Sequence, residues 1–169
     1  MSILYAVLLF VVAQRLVELV IAKRNTAALI ADGGIEHGAA HYPLIVLLHL
    51  CWIASLAYFI PADQPAVWSL LGVFAVLQGL RVWVLVTLGR RWTTRVIEIP
   101  GEPPVATGLY RWVRHPNYLI VAGEILMLPL AFGAWEIAVI FSVLNGMVLW
   151  HRIRVENVAL DNMAGTINE

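Results

Sequence analysis

Long apolar runs alternate with short polar breaks along this chain, and the runs have the length of bilayer-spanning helices. About 30 Å of hydrocarbon needs ~20 helical residues at ~1.5 Å each. The pattern predicts spans at about 2–22, 42–60, 66–89, 117–132 and 137–150, with one longer polar connection over 90–116. The first run opens hydrophobic at Met1–Val12, without a basic leader or a small-residue cleavage site, and continues past Arg15 and Glu18 to Ala22. It is expected to be a retained helix, not a signal peptide. Only Gly133, Ala134, Trp135 and Glu136 separate the last two runs, which predicts a tight antiparallel hairpin. The expected class is an all-α integral membrane protein: one domain over 1–169, five transmembrane helices, a hairpin of spans four and five, and a cytoplasmic loop.

The polar connection is not uniform. It contains Pro100, Gly101, Pro103, Pro104 and Gly108, which exclude a continuous helix, while Arg91–Ile99 alternates in the manner of a short strand. The basic residues fix an expected orientation. Lys23 and Arg24 follow the first span; Arg90, Arg91 and Arg95 follow the third; Arg111 and Arg114 precede the fourth; Arg152 and Arg154 follow the fifth. The turns at Pro61–Pro65 and Gly133–Glu136 contain no Lys or Arg. Short basic loops stay cytoplasmic, so the N-terminus is expected outside and the C-terminus inside. Trp92, Trp112 and Trp150 then fall at the inner interface and Trp68 and Trp135 at the outer one.

Composition agrees with a membrane protein. Of the residues, 61% are hydrophobic and 13% charged, against about 25% charged in a soluble domain. Eleven bases offset eleven acids, so no basic excess points to nucleic acid. The single cysteine, Cys51, excludes an internal disulfide and a Cys-rich metal site. No GxGxxG turn is present to open a soluble nucleotide-binding sheet.

The polar residues inside the spans share one depth. Helical rise puts Arg15, His49, Arg81, Glu124 and Asn145 each ~10–13 Å from the cytoplasmic end of its span, leaving the outer half nearly featureless. A conduction path needs polar groups at all depths; one level reads as a pocket opening to the cytoplasm. Two readings stand for each residue. Arg15 and Glu18, three apart, pair on one helix, and Arg81 pairs with Glu18 or snorkels; or these charges serve a ligand. His49 is an interhelical hydrogen-bond donor or a base. Glu124 has no opposite charge nearby in sequence, and a solitary intramembrane carboxylate is a functional candidate.

The strongest motif lies at the entrance to span four. Thr107-Gly108-Leu109-Tyr110 leads into Arg114-His115-Pro116-Asn117-Tyr118. Pro116 suits a first helical turn, where its missing N–H costs nothing. His115 then sits beside the unpaired N–H groups of the helix start, which favour a carboxylate or phosphate. A helix cap explains the same residues equally well.

These residues resemble the TGxYxxxRHPxY signature of the isoprenylcysteine carboxyl methyltransferase family. Arg152-Ile153-Arg154-Val155-Glu156, across the hairpin, is similar to that family's closing RxxxE element. The resemblance covers roughly residues 90–160 and implies an S-adenosylmethionine site. Tyr110, His115, Pro116, Asn117 and Tyr118 would surround the cofactor, with Glu156 on the far side. Glu102, Pro103, Pro104 and Val105 would line it through their backbone, and Arg152 corresponds to a substrate-orienting arginine. The chain departs from the pattern at Leu109, at Leu119-Ile120 and at Asn157, which replaces a second acid. The segment Glu36–His49, with His41-Tyr42-Pro43, and Glu124 look like a bacterial branch associated with lipid-like polyketides.

The resemblance implies an S-adenosylmethionine-dependent O-methyltransferase of the bacterial plasma membrane, acting on a carboxyl or hydroxyl group of a lipid-like acceptor. A carboxylate needs only Arg152 to orient it. A phenol or enol needs a base, and Glu124 or His49 lies at the right depth. Arg81 and His41 are candidate acceptor residues, Arg81 by stabilising the anion. Two rivals remain: an NAD(P)H-dependent membrane reductase of sterol-reductase-like type, and a non-enzymatic membrane adaptor.

Overall fold

The computed structural model describes residues 2–37 and 42–166, and the side chains of 2–37 and 42–154. Its elements, in order, are α1 (Ile3–Ala31), β1 (Ile35–His37), α2 (Tyr42–Phe59), α3 (Trp68–Leu88), β2 (Val96–Glu98), α4 (Pro116–Ala131) and α5 (Trp135–Thr166). Short 3₁₀ turns at Gly89–Arg91 and Gly108–Arg111 shape the segment between α3 and α4. Four stretches are long and apolar enough to cross a membrane: Ile3–Ala31, Tyr42–Phe59, Trp68–Arg91 and Trp135–Arg154.

The helical class is as expected, and two details are added. The fourth run forms a helix of 16 residues, ~24 Å long and shorter than these four. The first and last helices run past their apolar stretches, to Ala31 and Thr166, so Lys23, Arg24, Arg152 and Arg154 are helical rather than in loops. Two three-residue strands stand beside the helices. The alternation after α3 becomes β2, which pairs antiparallel with β1 in the register Ile35↔Glu98, Glu36↔Ile97 and His37↔Val96.

Local chemistry places the ends. Ser2 caps α1, its hydroxyl accepting from the Tyr5 N–H at 3.4 Å. Beyond Asp32 the chain turns sharply towards β1. A Cβ on Gly34 would stand 2.7 Å from the Leu29 carbonyl oxygen, so only glycine fits there. Pro116 opens α4 as the sequence suggests, with His115 as its N-cap. Between α4 and α5 the chain reverses tightly, the Ala134 N–H donating to the Pro129 carbonyl at 3.0 Å. Ala131 in turn accepts from the Val67 N–H at 2.8 Å, tying the start of α3 to the hairpin.

The bundle is layered along its length. Leu4, Leu8, Trp52, Leu56, Phe74, Leu128 and Phe132 fill the half nearer the α4–α5 turn. A smaller cluster of Ala22, Val84, Trp92 and Ile120 closes the opposite, basic end. The intramembrane polar residues lie between them. Trp68, Trp112, Trp135 and Trp150 are exposed, as interfacial aromatics should be, whereas Trp92 is 3% exposed and belongs to the core. At the basic end a ladder of ion pairs ties the α1–α2 segment to the α3–α4 segment. Arg90 meets Asp32 at 2.9 Å, Arg95 meets Glu36 at 2.7 Å and His37 meets Glu98 at 2.8 Å. Each pair is exposed or half-buried and contributes ~0–1 kcal/mol; together they set where β2 lies over the helix ends.

Candidate active site

A buried arginine, a half-buried one and two buried carboxylates meet in the middle of the bundle. Glu18 on α1 takes both arms of Arg81 from α3, Nε–Oε1 and Nη2–Oε2 each at 2.6 Å. Arg15, one turn earlier on α1, reaches Glu18 at 3.0 Å and Glu124 on α4 at 2.5 Å. Glu124 also accepts from Arg81 Nη1 at 3.2 Å and from Gln78 Nε2 at 2.8 Å. Gln14 adds a bond to Glu18 at 3.1 Å. The cluster is formally neutral, and each carboxylate is filled with donors, which is how buried charge becomes tolerable.

Against this cluster lies a cavity of about 240 Å³. Apolar residues of α1, α2, α4 and α5, among them Val12, Ile45, Ile53, Val121 and Val148, make up most of its wall. Its polar wall carries Arg15, Glu18, His49, Arg81, Asn117, Tyr118, Asn145 and Arg152, with Thr93 and Thr94 from the α3–α4 segment. Leu16 and Leu50 line it too, yet are 59% and 61% exposed on α1 and α2. The cavity therefore reaches the outer surface of the bundle between these helices.

His49 projects into this space in a defined tautomer. Its Nδ1 lies 2.9 Å from the Ile45 carbonyl oxygen. A carbonyl only accepts, so Nδ1 carries the proton, and Nε2 of the neutral ring holds a lone pair. Glu124 is placed differently. It is 1% exposed, stands behind the two arginines and is not among the cavity-lining residues.

The motif residues divide between two faces. Asn117 and Tyr118, in the first turn of α4, reach the cavity wall, as does Arg152 from α5. Arg152 Nε donates to the Tyr118 hydroxyl at 2.8 Å and Nη2 to the Thr94 carbonyl at 2.8 Å. The His115 and Tyr118 rings stack at 5.4 Å. Glu102, Pro103, Pro104, Val105, Tyr110, His115 and Pro116 are not among the cavity-lining residues. Within that group Glu102 pairs with Arg91, whose Nη1 also donates to the Pro103 carbonyl at 2.5 Å. Gly108 of the motif has φ +57°, and a Cβ there would meet Thr87 Oγ1 at 2.8 Å, so the motif's glycine is what lets this loop lie on α3. His41 lies outside the described residues, and so does the side chain of Glu156, on the last part of α5.

Sequence reasoning missed Tyr42, Trp92, Thr93 and Thr94 as wall residues. Thr94 acts through its carbonyl, which no residue type announces. Trp92 looked like an interfacial anchor but lies beneath Arg81, whose guanidinium carbon is 5.8 Å from the ring centroid.

A known family model, isoprenylcysteine carboxyl methyltransferase, matches residues 70–162, more than half of the chain, and takes in Arg81, Asn117, Tyr118, Glu124 and Arg152. The chain belongs to the isoprenylcysteine carboxyl methyltransferase family. Among curated proteins it is similar to the uncharacterized protein YpbQ of Bacillus subtilis (strain 168), 38% identical over 154 residues, covering 88% of this chain and 91% of that one. An uncharacterized protein of Haemophilus influenzae is 26% identical over 160 residues, covering 90% of this chain and 92% of its own. No solved structure is a significant match. The family match begins inside α3, so α1 and α2, which contribute Arg15, Glu18 and His49 to the cavity, lie outside it. In this member of the methyltransferase family the cavity wall is shared between the matched segment and the two helices that precede it.

Proposed function

We propose that the protein is an S-adenosylmethionine-dependent O-methyltransferase acting on an ionisable hydroxyl of a lipid-like acceptor, a phenol or enol on an apolar tail. One observation carries the reading. Asn117, Tyr118 and Arg152 of the family motifs share a cavity wall with an intramembrane imidazole in its basic tautomer.

The residues present suit the cofactor. Among the described residues Asn117 Oδ1 is buried without a hydrogen-bond partner, an acceptor suited to an ammonium group. It stands in the first turn of α4, whose N–H groups favour a carboxylate. An amino-acid moiety has both. Asn117, Tyr118, His115 and Tyr110 would hold it, with Glu156 and the backbone of Glu102, Pro103, Pro104 and Val105 as the family pattern has them. S-adenosylmethionine supplies, when bound, a methyl group on a positively charged sulfur.

The protein's own work is positioning, proton removal and exclusion of water. The acceptor slides from the bilayer between Leu16 and Leu50, its tail left among the helices. An apolar cavity of about 150 Å³ already accommodates a benzene ring, so 240 Å³ admits a cyclic head. His49 Nε2 takes the hydroxyl proton while Nδ1 stays on Ile45. Arg152, fixed by Tyr118 and Thr94, directs the oxygen toward the motif residues.

The imidazole favours a hydroxyl over a carboxyl. A carboxylate is already ionised and needs no base, whereas a hydroxyl must give up its proton, and His49 stands in the cavity wall to take it. Glu124 acts as a positioning residue, holding Arg15 and Arg81. The basic end, with Arg90, Arg91, Arg95, Arg114 and Arg152, faces the cytoplasm of a bacterial plasma membrane.

Isothermal titration of the purified protein with adenosylhomocysteine and with NADPH tests the cofactor. The expected result is saturable binding of adenosylhomocysteine and none of NADPH. Binding of NADPH alone would make the protein a reductase, and binding of neither an adaptor.

A further inference from the structure

The two intramembrane arginines look equivalent in the sequence, but their donors are not equally used. Arg81 engages all three guanidinium nitrogens, with Nε and Nη2 on Glu18 and Nη1 on Glu124. Arg15 gives one bond from Nη1 to Glu18 and one from Nη2 to Glu124, and its Nε is buried with no partner. A guanidinium has five N–H donors in a planar fork. Three of Arg15's are therefore uncommitted among the described residues. Its side chain is 16% exposed against 7% for Arg81, and it lines the same cavity as His49.

We propose that Arg15 is the residue that binds the acceptor oxygen as it becomes an anion, and that Arg81 is a structural brace. This rests on the methyltransferase reading above and names a residue of α1, outside the family-matched segment. Glu18 and Glu124 grip Arg15 from two sides and fix the direction of its remaining N–H groups, so little side-chain entropy is lost when an oxygen arrives. An oxygen that has just passed its proton to His49 meets a donor fork already in place in a mostly apolar cavity. The two residues divide the work across α1 and α2: the imidazole takes the proton, and the guanidinium holds what is left. Selectivity follows. Acceptors whose hydroxyl is acidic, phenols and enols, gain from Arg15, while long-chain alcohols do not.

The test uses a dodecyl-substituted nitrophenol, whose anion absorbs visible light, with the full-length protein in phosphatidylcholine nanodiscs. The probe is titrated with pH by absorbance, bound to wild type and to the variants, and in protein-free nanodiscs. A cation within ~4–6 Å lowers an acid's pKa by ~1–3 units. Wild type is expected to lower the probe's apparent pKa by at least ~1 unit relative to protein-free nanodiscs. Arg15→Gln is expected to abolish that lowering and Arg15→Lys to keep part of it, both with unchanged adenosylhomocysteine affinity, which reports an intact fold. An unshifted probe on wild type, or an equal shift on Arg15→Gln, overturns the proposal. So does loss of adenosylhomocysteine binding in both variants, which makes Arg15 a brace like Arg81. A shift that depends on Arg15, without methyl transfer to the probe, upholds the anion site and overturns the transferase reading.

Discussion

His49→Gln should lower methyl transfer by ~100-fold or more, the usual contribution of a positioned general base, while adenosylhomocysteine affinity stays unchanged. Glutamine is close in size and can still donate a hydrogen bond to the Ile45 carbonyl, so the local helix is preserved. What it lacks is the imidazole's lone pair, the acceptor for the hydroxyl proton. Initial rates measured with an acidic phenol and with a less acidic one check this further, because the variant should lose more on the less acidic acceptor. Wild-type turnover in His49→Gln would remove the base from the mechanism.

The second large effect is on stability. Arg81→Met removes the brace of the buried cluster and leaves two carboxylates facing Arg15 alone among cations. Breaking a buried ion pair from one side costs ~3–5 kcal/mol. For a chain of this size that corresponds to a fall in melting temperature on the order of 10 °C, measured in detergent by intrinsic tryptophan fluorescence. The double change Arg81→Met with Glu18→Gln restores neutrality, and it should recover a large part of the loss. Equal melting temperatures for wild type and Arg81→Met would mean that the cluster is not the interior brace its geometry makes it.

The depth of the polar level was legible in the sequence because depth is counted along one helix at a time. Arg15, His49, Arg81 and Asn145 do line one cavity. Partnership was legible only within a turn, as for Arg15 and Glu18. Which faces of different helices meet depends on their rotation, and hydropathy that is high all round a helix does not encode it. Glu124 therefore read as solitary, although Arg15, 109 residues earlier, bonds it at 2.5 Å. The same limit hid β1: three residues, Ile35–His37, become a strand only because β2 lies beside them. Trp92 follows a basic pair at a helix end, the usual setting of an interfacial anchor, and is buried because the α3–α4 segment folds back over Arg81. The first turn of α4 was easier. Proline at N1 and the residues around it are a local pattern, and local patterns survive folding.

Tautomer and access lead to one reaction, so the decisive measurement is the reaction itself. Bacterial membrane lipid extract is incubated with the purified protein and S-adenosylmethionine bearing a deuterated methyl group, and the products are resolved by mass spectrometry. The expected result is a lipid-soluble product that carries the intact label on a former phenolic or enolic hydroxyl and is absent with His49→Gln. Label on a carboxyl group would contradict the assignment of the acceptor. No labelled lipid, from protein that binds adenosylhomocysteine, would contradict the proposed methyl transfer to a membrane acceptor.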